Sequence, residues 1–226
     1  MHKNCVLLFE KYAKKYFKDN MRVLEIGPND FPSTFEKVIG KKSIKWDTID
    51  LRSDSRVTYQ TINEYEFPIE DNYYDIIISG NVIEHVRKIW IWMKELSRVC
   101  KYEGLVITIN PVSHPFHRIP YDCWRIYPEG MKALYEEAGL KLLISACDSL
   151  ESGKLFQKGY RNIVFGRPCP PVALVGTWEF LKNSLKNLKN PKEFGRFALA
   201  NFKRFTGWPI SSSLDTISIG KKIDQK

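Results

Sequence analysis

Met21-Arg22-Val23-Leu24-Glu25-Ile26-Gly27-Pro28-Asn29-Asp30 is a short apolar run broken by four turn residues. Val, Leu and Ile within 21–26 predict a buried strand, and Gly-Pro-Asn-Asp stops it. Ser33-Thr34-Phe35-Glu36 then has the spacing of a capping box, in which the serine oxygen takes the amide hydrogen three residues on, so a helix starts there. The unit is strand, turn, helix.

Working outward, the same alternation continues. Strands are predicted at Lys45–Leu51, Val57–Tyr59, Asp75–Ser79 and Gly104–Ile109; the third of these is a β-branched run suited to burial on both faces. Ile89, Trp92, Met93, Leu96 and Val99 step by three and four, which predicts an amphipathic helix within 88–101. Pro128 suits the first turn of another helix, with Met131, Leu134, Tyr135 and Ala138 on one face and Gly139 as its stop. Leu140–Ala146 and Arg161–Phe165 read as two more strands. Upstream, Phe9, Tyr12, Ala13, Tyr16 and Phe17 predict a lead-in helix over roughly 4–18. Strands alternating with helices over 21–146 predict an α/β fold: a Rossmann-like, doubly wound, mostly parallel seven-stranded sheet with helices on both faces.

Arg167-Pro168-Cys169-Pro170-Pro171 interrupts that pattern and reads as a linker. The expected organisation is an N-terminal helix at 1–20, a core at 21–167 and a basic helical C-terminal extension at 168–226. The charge divides at the same place. Of the 226 residues, 35 are Lys or Arg and 26 Asp or Glu, a net +9; the extension holds ten basic and four acidic residues, so +6 belongs to it and +3 to the rest. With 43% hydrophobic residues the chain can bury a core without staples, which excludes a disordered chain. The five cysteines form no C-x-x-C pair, so neither a disulfide framework nor a zinc site is suggested. No apolar run approaches membrane-spanning length, and the expected location is the cytoplasm.

A sheet of this kind takes ligands beyond the carboxyl ends of its strands, so the Gly27 turn is the first place to look. A dinucleotide needs the Gly-x-Gly-x-x-Gly run to cradle its pyrophosphate. Here only Gly27 is present, with Asn29 and Phe31 nearby, and Glu25 would repel phosphate. A cofactor with an ammonium group and no phosphate suits the turn better.

Val23-Leu24-Glu25-Ile26-Gly27-Pro28-Asn29-Asp30, Asp50, the run Phe67–Ser79 and Asn81-Val82-Ile83-Glu84-His85-Val86, in that order and spacing, resemble the class I S-adenosylmethionine-dependent methyltransferases. The resemblance covers residues 21 to about 166 and implies S-adenosylmethionine as cofactor. It implies that Glu25, Gly27, Pro28 and Asn29 approach the methionine part. Asp50, 23 residues after Gly27, would accept from the ribose hydroxyls, with Leu51 beside it. Asn63 and Glu64 fall at the adenine, and Ser79 and Asn81 beside the reacting centre. Asn29 departs from the family's second glycine, and Asn tolerates the positive φ such a position would demand.

The acceptor side is expected in Asn110–Arg125, a long polar and aromatic segment after the fifth strand. Methyl transfer to a hydroxyl needs alignment and a base. His114, His117 and Asp122 are the candidates, while His85, Tyr121, Trp124 and Arg125 are candidates for binding the acceptor. His114-x-x-His117 also has ligand-like spacing, but the loop offers no obvious third donor and no metal is assigned. His-Pro followed by Pro-Tyr-Asp-x-Trp-Arg-x-x-Pro-Glu-Gly is similar to methyltransferases of surface-glycan synthesis, which implies a small-molecule or glycan acceptor and O-methylation of a sugar hydroxyl. Ser79-Gly80-Asn81-Val82 stands where amino-methylating nucleic-acid enzymes carry Asn/Asp-Pro-Pro-Tyr/Phe, which argues against nucleic acid. The apolar faces of the two basic C-terminal helices, 174–188 and 194–205, read either as core or homodimer packing or as a peripheral contact with an anionic membrane.

Overall fold

The structure, a computed structural model, describes residues 3–114, 116–118, 120–150 and 214–224. Seven strands form one sheet: β1 (Arg22–Ile26), β2 (Lys45–Asp50), β3 (Tyr59–Gln60), β4 (Tyr74–Gly80), β5 (Cys100–Pro111), β6 (Leu140–Asp148) and β7 (Asp215–Lys222). Their order is β3-β2-β1-β4-β5-β7-β6, with β1 to β5 parallel and β7 antiparallel to both of its neighbours. The helices are α1 (Lys3–Leu8), extended by a π-helical turn at Phe9–Ala13 and a 3-10 turn at Lys14–Tyr16, then α2 (Thr34–Ile39), α3 (Ile89–Val99) and α4 (Pro128–Glu137).

Strand periodicity divides the core in two. Leu24, Ile77 and Val106 face a cluster that includes Trp92, Met93 and Leu96 of α3 and Met131 and Tyr135 of α4. Their neighbours Val23, Ile76, Ile78 and Ile107 face the opposite cluster with Leu8, Phe9, Phe17 and Phe35. Ser33 caps α2 as its spacing predicts, accepting from the Glu36 amide at 3.1 Å, and Gly40 ends it with φ 63°. Asn4, fully buried, ties the N-terminal helix to the far side of the sheet: its side-chain amide donates to Asp215 Oδ2 at 2.7 Å and to the Asp148 carbonyl at 3.0 Å.

One expectation is corrected. The seventh strand is Asp215–Lys222, so the end of the basic extension belongs to the sheet and the core does not close at 167. Ile217 and Ile219 pack into the second cluster, while Gly220 leaves room for Tyr135, since a Cβ there would stand 2.2 Å from the ring. The Tyr135 hydroxyl reaches across the strand backbones, donating to the carbonyls of Ser218 at 3.0 Å and Val106 at 3.2 Å. The strand at Arg161–Phe165, the proline linker, Cys169 and the two basic helices expected at 174–188 and 194–205 lie outside the described residues. Cys5, Cys100, Cys123 and Cys147 are free thiols. No helix among the described residues is long and apolar enough to cross a membrane.

Candidate active site

The strand order reverses between β1 and β4, and a cavity of about 520 Å³ opens there, beyond the carboxyl ends of β1, β2 and β4. Gly27, Pro28, Asn29, Asp50, Leu51, Glu64, Asn81, His85, His114 and His117 all line it. These are residues from five separate stretches of sequence, gathered at one end of the sheet.

Gly27 has φ 66°, and a Cβ at that position would stand 2.6 Å from Val82 Cγ2. The turn can follow this path only with glycine, and it clears the space above β1. Asn29 does not take the glycine-like conformation expected of it. Its side-chain amide bonds Thr34 Oγ1 at 3.0 Å, bracing the start of α2, and the left-handed non-glycine residue of the site is Asn81, with φ 58° just after β4. Several polar atoms here are buried with no hydrogen-bond partner among the described residues: both amide atoms of Asn81, Glu64 Oε1 and Ser79 Oγ. Such atoms are costly unless a ligand or water meets them; Asn81 and Glu64 line the cavity and offer a donor and acceptors there, while Ser79 Oγ lies behind them.

Four sequence-predicted cofactor and base residues are placed differently from expectation. Glu25 is 1% exposed and lies beneath the turn, outside the cavity lining; its Oε2 accepts from Ser33 Oγ and, at 2.9 Å, from Trp46 Nε1. Burial pushes its carboxyl up to about 7 against those hydrogen bonds. Asn63 turns into its own loop, accepting from the Tyr65 amide at 2.9 Å, and Thr61 and Glu64 line the cavity in its place. Ser79 is buried behind the lining. Asp122 is enclosed: Arg125 donates to both of its oxygens, at 2.5 and 2.8 Å, and the His117 amide donates at 2.7 Å. The Arg125 hydrogen bonds hold its carboxyl well below the usual carboxylate range, which suits an anchor and not a proton acceptor.

Arg125 also donates to the His114 carbonyl at 3.2 Å, so Asp122 and Arg125 together set the two histidines. Their Nδ1 atoms stand 3.1 Å apart. Trp124 anchors the loop to the sheet side through Nε1 to the Val86 carbonyl at 2.8 Å, and Tyr121, under the Arg87 guanidinium, sits at the surface. Neither lines the cavity.

Two residues were missed by sequence reasoning. Arg52 lines the mouth and bonds Asp50; its position two residues past the strand end was the available signal. Glu84, 1% exposed, stands beside His85 with burial pushing its carboxyl up to about 8. A carboxylate between Ile83 and the His85-Val86 pair, in a run otherwise held by Val82, Ile83 and Val86, was the cue.

Residues 39–108 match the methyltransferase domain family. The fold is similar to that of an S-adenosylmethionine-dependent methyltransferase from Archaeoglobus fulgidus, at 15% identity and TM-score 0.59 over 96% of this chain and 92% of that one. It is similar also to the YcgJ protein of Bacillus subtilis, at 15% identity and TM-score 0.58 over 99% and 100%. A third likeness is to phosphoethanolamine N-methyltransferase 2 of Haemonchus contortus in complex with S-adenosyl-L-methionine, at 12% identity and TM-score 0.54 over 97% and 52%. At these identities the structural likenesses establish the fold. No curated protein sequence matches the chain. The methyltransferase-domain match thus lies within a sheet whose fold the S-adenosylmethionine-dependent methyltransferase from Archaeoglobus fulgidus shares.

Proposed function

We propose that the chain transfers the methyl group to a hydroxyl of a sugar or glycan-linked acceptor. The observation that carries an oxygen acceptor is the His114–His117 pair, two imidazoles 3.1 Å apart that line the same cavity as Gly27 and Asp50. An alcohol must lose its proton during transfer, and neutral imidazole is the side chain best matched to accept it near pH 7.

When bound, S-adenosylmethionine supplies an activated methyl on a sulfonium, with the leaving group built in. The chain's own residues do the rest. Gly27 and Asn81 would hold the methionine part, Asp50 would accept from the ribose hydroxyls, and Thr61 and Glu64 would meet the adenine. His114 and His117, held by Asp122 and Arg125, stand on the acceptor side. The glycan class is supported by the similarity of the 114–130 segment to methyltransferases of surface-glycan synthesis.

A transfer assay with methyl-labelled S-adenosylmethionine across nucleotide sugars and lipid-linked glycans tests this reading. Label on a hydroxyl oxygen is the expected result. Transfer to amines or to nucleic acid alone, with every sugar left unmethylated, overturns it.

A further inference from the structure

Arg52, Arg56, Arg98 and Arg125 each hold a carboxylate oxygen within 2.7 Å. Arg87, Lys88 and Arg118 are exposed and form no ion pair with any described residue. These three also share a location. His85 and His117 line the cavity with their rings edge to face, centroids 5.0 Å apart. Arg87 and Lys88 follow the first histidine by two and three residues, and Arg118 follows the second by one. The unpaired cations therefore stand at the rim beside the two histidines.

Two of the cations rest on aromatic rings. The Arg87 guanidinium lies over Tyr121 at 4.8 Å from the ring centroid, and the Tyr121 carbonyl accepts from His85 Nδ1 at 2.5 Å, which ties that ring to the cavity wall. The Lys88 ammonium stands 6.0 Å from the Tyr65 centroid, while its backbone amide donates to the Tyr65 hydroxyl at 3.3 Å. Ring support restricts each side chain and leaves its N–H groups unused, so an anion meets donors already in place. Glu64, on the cavity lining next to Tyr65, pairs with neither cation. A phosphate-type oxyanion with two or more negative charges fits such a cluster, through charge-assisted hydrogen bonds and the arginine forks. Nucleic acid fits it less well, because a strand held by its phosphates makes about six to ten such contacts along a track.

We propose that Arg87, Lys88 and Arg118 bind a diphosphate carried by the acceptor, which stays on the rim while the attached sugar reaches into the cavity. The substrate class is then a glycosyl diphosphate, and nucleotide-linked and lipid-linked sugars are its two sources. No bond to phosphorus forms or breaks; the diphosphate is a handle, and its attraction to the rim also speeds encounter. The surface itself stands on the placement of the three cations. Its service to methyl transfer rests on the function proposed above.

Full-length protein is titrated with sodium pyrophosphate in a calorimeter, beside a double variant carrying Arg87→Ala and Arg118→Ala. The expected result is one equivalent bound, with affinity about tenfold or more weaker in the variant, the worth of hydrogen bonds between charged groups. Circular dichroism and S-adenosylmethionine titration of the same samples check that the variant folds and keeps its cofactor affinity; should it not fold, Arg118→Ala alone carries the test. Labelled methyl transfer to UDP-linked sugars, to polyprenyl-diphosphate sugars in detergent and to the same sugars free then separates the sources. One linked form should show a KM about tenfold or more below that of the free sugar, an advantage lost in the variant. Wild-type protein that takes no pyrophosphate overturns the proposal, as do pyrophosphate binding unchanged in the folded variant and free sugars methylated as readily as linked ones. Single-stranded nucleic acid held through the same arginines at physiological ionic strength, with no linked sugar methylated, overturns it in favour of a polymer. Pyrophosphate binding lost in the variant, without methyl transfer to any sugar, leaves the anion surface standing and removes the sugar-methylation reading.

Discussion

The Arg52 guanidinium donates to Asp50 Oδ2 through Nε at 2.9 Å and Nη2 at 2.6 Å, and the same Nη2 donates to the Pro28 carbonyl at 2.7 Å. One exposed side chain thus joins the end of β2 to the turn after β1. It also covers the carboxylate on which the ribose hydroxyls are expected, so cofactor binding has to displace it or share with it. The guanidinium side of the pair is 68% exposed, and screening there keeps its contribution on the order of 1 kcal/mol, so that displacement is easy.

Arg52→Ala is therefore expected to tighten S-adenosylmethionine binding by no more than about fivefold. Asp50→Ala should weaken it by about 10- to 100-fold, the worth of hydrogen bonds to a charged acceptor. Calorimetric titration of both variants checks the pair. Wild-type affinity in Asp50→Ala would take Asp50 out of the cofactor site.

Gly27→Ala combines a positive φ with a Cβ 2.6 Å from Val82 Cγ2. Strain of about 1–3 kcal/mol is expected at such a position, relieved only by moving the turn into the cavity. Cofactor affinity should fall more than tenfold, with a lower thermal midpoint in the same sample. A variant that binds the cofactor normally would show that the turn does not shape the site.

Glu25 predicts a pH dependence of stability. Its folded-state value, about 7, lies above the ordinary 4.5, so the folded protein binds the proton more tightly than the unfolded chain. The resulting stabilisation is complete below pH 4.5 and is lost as pH rises through 7, by an amount on the order of 3 kcal/mol. Glu25→Gln keeps an oxygen for Ser33 and Trp46 and has no proton to lose. Urea midpoints at pH 5 and pH 8 should show the variant gaining on the wild type at the higher pH; parallel shifts in both proteins would contradict the burial argument.

His114→Ala should lower kcat by about 100-fold or more, the usual contribution of a positioned base. Cofactor affinity should stay within about threefold if His114 serves the acceptor as proposed, since the loss of one cavity contact is small. Single-turnover transfer with labelled cofactor separates the two quantities. An unchanged rate would leave His114 with a structural role only.

Features that depend on near neighbours were readable along the chain. The Gly27 turn, the Ser33 cap, the apolar stripe of α3 and the placement of Asp50 at the end of β2 each rest on residues within a few positions of one another, where φ preference, capping and periodicity act directly. The parallel pairing of β1 with β2 and of β4 with β5 followed from the helices between them, α2 and α3. The rest needed distance to be folded away. Thr216-Ile217-Ser218-Ile219 is short, polar on alternate residues and followed by two lysines, and only its insertion between β5 and β6 shows it to be a core strand. The downward turn of Glu25 toward Trp46, the enclosure of Asp122 by Arg125, and the meeting of Glu84 and His85 with His117 are decided by side-chain direction and by packing. Strand pleat and loop docking set those directions, through the Cys123 amide on the Glu84 carbonyl at 2.7 Å and His85 on the Tyr121 carbonyl. Linear spacing does not encode contacts of that kind, and it was there that the reading from sequence stopped.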